Sequence, residues 1–172
     1  MSSVIEGVDQ RTQLVGRNRM ELLMFRLVGR QRFGINVFKV REVIRCPVLT
    51  HLPQAHPVVR GIASIRGVTI TIMDLAAAVG LAPVPEPEGR FVIVAEYNRR
   101  LLGFLVDCVD RIVNLNWERI RPPPRGIGLQ NYLTAVTEVD GELVEVIDVE
   151  KVLAEVIGLK EDIDPTLSAT AT

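Results

Sequence analysis

Histidine and cysteine are scarce in this chain of 172 residues, which holds two of each. A zinc site needs three or four converging nitrogen or sulfur ligands. Here His51 and His56 lie five residues apart in a loop broken by Pro53, and neither Cys46 nor Cys108 has a CxxC partner. These read as ordinary loop histidines, and no metal ligand is assigned. Nucleophilic catalysis needs a nucleophile, a base and a group that orients the base. Ser64 and Thr69 sit in alternating strand-like segments with no histidine close in sequence, so no catalytic residue is assigned and a non-enzymatic protein is expected. No glycine-rich loop ending in lysine opens a helix, which leaves no phosphate cradle and no expected cofactor. Aromatic residues make up only 5% of the chain, little for stacking on bases. The net charge of -1 gives no bulk attraction to nucleic acid or to an anionic membrane. No apolar run approaches a membrane span, and the start does not read as a signal peptide. Two cysteines in a chain of this size point to a reducing cytoplasm more than to a disulfide framework.

Charge of one sign is nevertheless concentrated. Arg11, Arg17, Arg19, Arg26, Arg30 and Arg32 crowd the N-terminal part. A charge run is usually a solvated face; the alternative function is a paired-barrel nucleic-acid-binding module that uses these arginines.

What the chain does have is a repeat. An offset of 69 places Gly34 on Gly103, Val37 on Val106, Val40 on Val109 and Val43 on Ile112. Leu23 and Phe25 fall on Val92 and Val94 at the same offset, and an offset of 74 places Gly67 on Gly141 and Asp74 on Asp148. A unit this long predicts two similar subdomains around one core, not a solenoid. The apolar content of 48% is ample for such a core.

Capping-box spacing at Ser3-Val4-Ile5-Glu6 predicts an N-terminal helix over 3–15, stopped at Gly16. Strands follow over 21–28 and 32–37, joined at Gly29-Arg30-Gln31, with another over 40–44. Pro47, Pro53 and Pro57 make 46–57 a loop. A hairpin over 60–64 and 68–73 turns around Ile65-Arg66-Gly67, and Asp74 caps a short helix that ends at Gly80. The Pro-rich stretch 82–89 reads as the linker between halves. The second half repeats this order with strands over 90–97, 101–106, 109–113, 132–139 and 142–147, then a helix over 149–157 opened by Asp148. The division expected is an N-terminal extension over 1–18, paired barrels over roughly 19–81 and 90–157, and a disordered tail or linker over 158–172. Equivalent places before a helix assign Asp74 and Asp148 to capping, not to a paired-carboxylate site. Arg66, in an otherwise apolar segment, either pairs with Glu42 across the first barrel or points with it into water, where such a pair adds little.

Several strings resemble the CheW-like domain of bacterial chemotaxis coupling proteins: Phe33-Gly34-Ile35-Asn36-Val37 with Val40-Arg41-Glu42-Val43-Ile44, Gly61-Ile62-Ala63-Ser64-Ile65-Arg66-Gly67, and Ile72-Met73-Asp74-Leu75. Gly103-Phe104-Leu105-Val106-Asp107 and Ile147-Asp148-Val149 extend the likeness over roughly 21–157. Within that family the text is most similar to CheV, through Asn18-Arg19-Met20-Glu21-Leu22-Leu23, Asn116-Trp117-Glu118 and Tyr132-Leu133-Thr134-Ala135. The resemblance implies a mainly β fold of two SH3-like five-stranded barrels around a shared hydrophobic core. It implies a cytoplasmic adaptor at membrane receptor arrays, coupling the tips of methyl-accepting chemoreceptors to the regulatory domain of the histidine kinase CheA. It carries over no catalytic residue. Its partner-binding positions fall on Val40, Glu42, Gly61 and Arg66. A CheV-like protein continues into a receiver domain, so the chain is expected to be either the coupling domain of a longer protein or one whose receiver has been lost; the tail, with Asp164-Pro165-Thr166, resembles the start of an interdomain linker and favours the first.

Overall fold

Four consecutive residues of the first strand, Leu22-Leu23-Met24-Phe25, are buried. Successive strand side chains point to opposite faces, so a run of four means that both faces are covered. The computed structural model, which describes residues 18–125 and 132–163, shows what covers them. Leu22 and Met24 pack with Leu115, Val139, Val144 and Val146 in one small core. Leu23 and Phe25 face a larger one, with Phe104, Leu105, Ile70, Ile72, Val92 and Val94. The predicted helix over 3–15 lies outside the described residues.

Among the described residues ten strands run β1 Arg19–Arg26, β2 Arg32–Asn36, β3 Val40–Arg45, β4 Val59–Ile65, β5 Val68–Asp74, β6 Phe91–Tyr97, β7 Arg100–Val106, β8 Cys108–Asn116, β9 Leu133–Val139 and β10 Glu142–Ile147. Two helices, α1 Leu75–Ala78 and α2 Val149–Ile163, follow β5 and β10, and 3-10 turns occupy Val37–Lys39 and Trp117–Arg119. The strands form two five-stranded sheets, ordered β8-β1-β2-β10-β9 and β3-β6-β7-β5-β4. These are the two expected barrels, built on one plan. Each has one parallel pair, β2 with β10 and β7 with β5, and each parallel pair sets a glycine of the repeat on an apolar residue: Gly34 on Val146, Gly103 on Ile72.

The division expected along the chain, 19–81 and 90–157, is corrected by this topology. The central barrel is β3 to β7, residues 40–106, and it is inserted into a terminal barrel made of β1 and β2 with β8, β9 and β10. Each repeat therefore gives its first hairpin to the other repeat's barrel. Exchange lets β1 and β2 bury both faces: Leu22 and Met24 fill the terminal barrel, while Leu23, Phe25, Phe33 and Ile35 join the central core. Phe25 stacks on Phe33 with centroids 6.0 Å apart, and the buried Tyr132 hydroxyl donates across the two units to the Val79 carbonyl at 3.2 Å.

Other boundaries shift in explicable ways. β8 runs on to Asn116 because it pairs with β1 along its whole length, from Arg19↔Asn116 to Arg26↔Cys108. Helix α2 continues to Ile163, beyond the predicted end at 157 and into the segment read as tail; Val149, Val152, Leu153 and Val156 anchor its first half in the shared core. Residues 164–172 lie outside the described part. Both helix caps form as predicted: Asp74 Oδ1 accepts from the Ala77 N–H at 3.0 Å, and Asp148 Oδ1 from the Glu150 N–H at 2.9 Å.

Candidate partner-binding surface

β3 and β4 are the two edges of the central sheet. Between their ends sits an ion pair. Arg66 Nε donates to both carboxylate oxygens of Glu42 at 3.1 Å, and Nη2 to Oε2 at 2.9 Å. This fork-to-fork geometry is the strong form of the contact. Of the two readings left open by the sequence, pairing is the one observed, although the arginine side chain stays 78% exposed. The Glu42 hydrogen bonds hold the guanidinium above its ordinary range, so Arg66 stays a cation at any working pH.

The backbone under Arg66 is left-handed, as it is at five other described non-glycine residues, Arg99 among them. Ile65 pairs with Val68, so Arg66-Gly67 is a two-residue hairpin turn, with φ of +52° and +79°. Such turns favour Asn-Gly or Asp-Gly, because a Cβ crowds the backbone in the left-handed region. An arginine there carries a conformational cost that its exposed ion pair does little to offset. Strain of this kind concentrates where a side chain is needed for something other than stability. Val68, 48% exposed, flanks the pair.

The other predicted positions fall in different environments. Val40 opens β3, half-buried against the shared core, on the far side of a bulge at Arg41 from Glu42. Gly61 does not reach the ion pair; it lies five residues up β4 from Arg66, about 16 Å at strand rise. It is buried at φ +152°, and a Cβ there would meet the Thr50 carbonyl oxygen at 2.5 Å. Gly61 therefore sets the path of the loop after β3, which bridges back to Ile62 from Thr50. One exposed residue escaped the sequence reading: Phe38, 89% exposed on the 3-10 turn before Val40. It falls between the strands predicted over 32–37 and 40–44, and nothing in the sequence marks it as exposed.

The terminal barrel answers with an ion pair of opposite polarity. In the sequence repeat Glu42 falls on Arg111 and Arg66 on Asp140, and Arg111 of β8 pairs with Asp140 at the β9–β10 turn. There the turn is Asp-Gly, at φ of +54° and +77°, the residue type that tolerates this conformation. Asp140 also lies 4.0 Å from Arg32, which pairs with Glu142 at 2.8 Å. Arg32 is thus tied into a local network, Arg26 is half-buried on β1, and Arg11 and Arg17 lie outside the described residues. Among the described residues the remaining two, Arg19 and Arg30, are exposed, and no arginine groove of the kind the nucleic-acid alternative requires is seen. His56 Nδ1 accepts from the Val58 N–H at 3.2 Å, closing its own loop. Among the described residues no group of three His, Cys, Asp or Glu is placed to hold a metal, and no helix is long and apolar enough to cross a membrane.

The two barrels share a core, and each carries an ion pair at its two-residue turn. Comparison with known proteins gives the family. Residues 21–156 match the CheW-like domain. The chain is 31% identical over 137 residues to the probable chemotaxis protein CheW of Rhizobium etli, covering 78% of this chain and 88% of that protein. It is 30% identical over 158 residues to chemotaxis protein CheV3 of Helicobacter pylori, covering 84% of this chain but only 50% of that longer protein. The crystal structure of the scaffolding protein CheW from Thermoanaerobacter tengcongensis superposes with a TM-score of 0.68 at 22% identity, over 75% of this chain and 88% of that one. The chain belongs to the CheW-like domain family of chemotaxis scaffold and coupling proteins.

Proposed function

We propose that this protein is a CheV-type chemotaxis adaptor, which joins the cytoplasmic tips of chemoreceptors to the regulatory domain of the histidine kinase CheA. The observation that carries the reading is the Glu42–Arg66 pair: a permanent cation held at a strained turn, beside exposed Val68, where stability alone favours another residue. Arg66 and Glu42 are the recognition pair. Val40 and Gly61 act on the same barrel by shaping the strand and loop around it. The kinase's regulatory domain resembles this fold, which makes barrel-to-barrel contact the expected mode. A helical hairpin from the receptor would take the apolar strand residues between the barrels, by helix-in-groove recognition with a polar rim. The adaptor acts in the cytoplasm, at receptor arrays.

The test is a titration of this chain against a labelled CheA regulatory domain and a soluble receptor-tip fragment, with Arg66→Glu as control. The expected result is micromolar binding to both, weakened by the substitution in at least one. Binding to neither would remove the adaptor reading for this chain.

A further inference from the structure

A second arginine of the central barrel sits at a left-handed turn. Tyr97 pairs with Arg100, so Asn98-Arg99 is also a two-residue hairpin turn, with φ of +48° and +62°. The second place of such a turn favours glycine, and Asn-Gly is its preferred pair. In the repeat these two residues fall on Gly29-Arg30 of the terminal barrel. There the longer connection between β1 and β2 leaves Arg30 at an ordinary φ and gives the left-handed place to Gly29, at φ +69°. The shared plan therefore does not require an arginine in this conformation, and Arg99 carries a cost that Arg30 avoids.

The turns of Arg66 and Arg99 lie at one end of the central barrel. β5 and β7 run parallel with Thr71 opposite Leu102, and that register, carried down three residues, sets Val68 level with Arg99. The two turns are two strand spacings apart, about 10 Å. β3 enters at the same end, with Val40 opposite Ala95, and Phe38 stands just before it. Phe38 is exposed without being loose: Asn36 Oδ1 accepts its N–H at 3.0 Å, and the next residue, Lys39, pairs with Glu150 at 2.6 Å. Phe38, Arg41, Glu96 and Arg99 are among the residues that line one hollow of about 300 Å³. Charge around it is unbalanced. Glu42, Glu96 and Glu150 each hold a cation already, Arg66, Arg41 and Lys39 in turn. Arg99 and Arg100 are exposed and form no ion pair with any described residue.

We infer that the kinase regulatory domain seated on Arg66 spans this whole end of the barrel, meeting Arg99 with an acidic side chain and covering Phe38 with an apolar one. The inference rests on the adaptor reading and adds the chemistry of the partner's face. A specific interface covers about 800 Å² on each side, far wider than the gap between the two turns. A partner centred on Arg66 therefore reaches Arg99. The surplus cations favour an acidic face, and an exposed, braced aromatic gives that face an anchor to bury.

The test is a titration of the full chain, of Arg99→Gly, of Phe38→Ala and of Arg66→Glu against the labelled CheA regulatory domain, at low and high salt. Arg99→Gly creates the preferred Asn-Gly turn, so it should melt at or above the temperature of the unaltered chain, and Phe38→Ala removes a side chain that already stands in water. Arg99→Gly should bind about threefold to tenfold more weakly at low salt, and the loss should shrink at high salt, as for a charge at the edge of an interface. Phe38→Ala should bind about tenfold more weakly at both, as for an apolar anchor. Unchanged affinity in either variant, with Arg66→Glu still weakening the complex, overturns the inference and leaves the adaptor reading standing. An Arg99→Gly loss of equal size at both salt concentrations overturns it too, because the turn's shape and not its charge would then matter. Absence of binding by the unaltered chain removes the adaptor reading itself.

Discussion

The central and terminal barrels share strand order, one parallel rung and a two-residue turn, yet differ at three equivalent places. A turn residue is Arg66 in one and Asp140 in the other. A capping aspartate is locked to Arg60 and Val84 in one and half-free in the other. A strand glycine is tightly enclosed in one, Gly103, and looser in the other, Gly34. The common plan shows which features the fold requires: a cap after the parallel strand, a glycine on the parallel rung, a left-handed turn. The differences mark features that the fold does not require, and the Arg66 turn is the one proposed to serve recognition.

The largest contrast is expected at the caps. Asp74→Ala strands the Arg60 cation, frees the Val84 N–H and removes a cap, at a cost of about 3 kcal/mol or more for losing one partner of a buried pair. Asp148→Ala removes only a cap, about 1 kcal/mol. Urea unfolding of both variants tests this, and equal losses would break the comparison. At the glycines, a Cβ on Gly103 would collide with Ile72 Cδ1 and approach Val92 Cγ1 to 2.8 Å, whereas on Gly34 its closest approach is 3.3 Å to Leu22 Cδ1. Gly103→Ala should therefore cost about 1–3 kcal/mol, and Gly34→Ala less than about 1. A thermal melt of each orders the pair.

At the turns, stability and binding should separate. Arg66→Asn relieves the left-handed residue and should leave the melting temperature unchanged or raised by a degree or two, as expected for a few tenths of a kcal/mol. The same change should weaken partner binding about tenfold or more, the loss typical of an interface arginine anchor. Asp140→Asn should leave binding to that partner intact.

The smallest effect concerns pH. Burial raises the Glu145 carboxyl above its ordinary range, with the Gln31 hydrogen bond opposing. The folded state then holds that proton more tightly than the unfolded chain, so this group's contribution falls as pH rises from the ordinary carboxylate range through the raised value. Glu145→Gln should flatten that fall and leave the protein slightly more stable at neutral pH, which stability measured against pH would show.

Much of this was legible in the sequence, because it depends on local chemistry. The repeat, the Asp74 and Asp148 caps, the Arg66-Gly67 and Asp140-Gly141 turns and the barrels' strand content all follow from residues close in the chain. The exchange of hairpins was not legible. Leu22 to Phe25 and Phe33 to Ile35 are apolar on both faces, and such strands fit either barrel equally well; only packing chooses the partner. The true end of α2 was hidden by Gly158 and the polar residues after it, which read as a stop and a tail. Of the carried-over site, Glu42 and Arg66 do meet, but only the fold shows that Gly61 lies at the other end of β4, or that Phe38 stands in solvent.

Arg66 is proposed to present its charge outward for a partner, with Glu42 as its support. The exchange Glu42→Arg with Arg66→Glu keeps an ion pair at this site but gives it the terminal barrel's polarity. Its affinity for the CheA regulatory domain and the receptor-tip fragment, measured beside Arg66→Glu alone, is the direct test. The prediction is a folded protein whose pair has re-formed and whose binding stays as weak as that of the single variant. Binding restored to the original level would contradict it, because the pair would then matter only for holding β3 to β4.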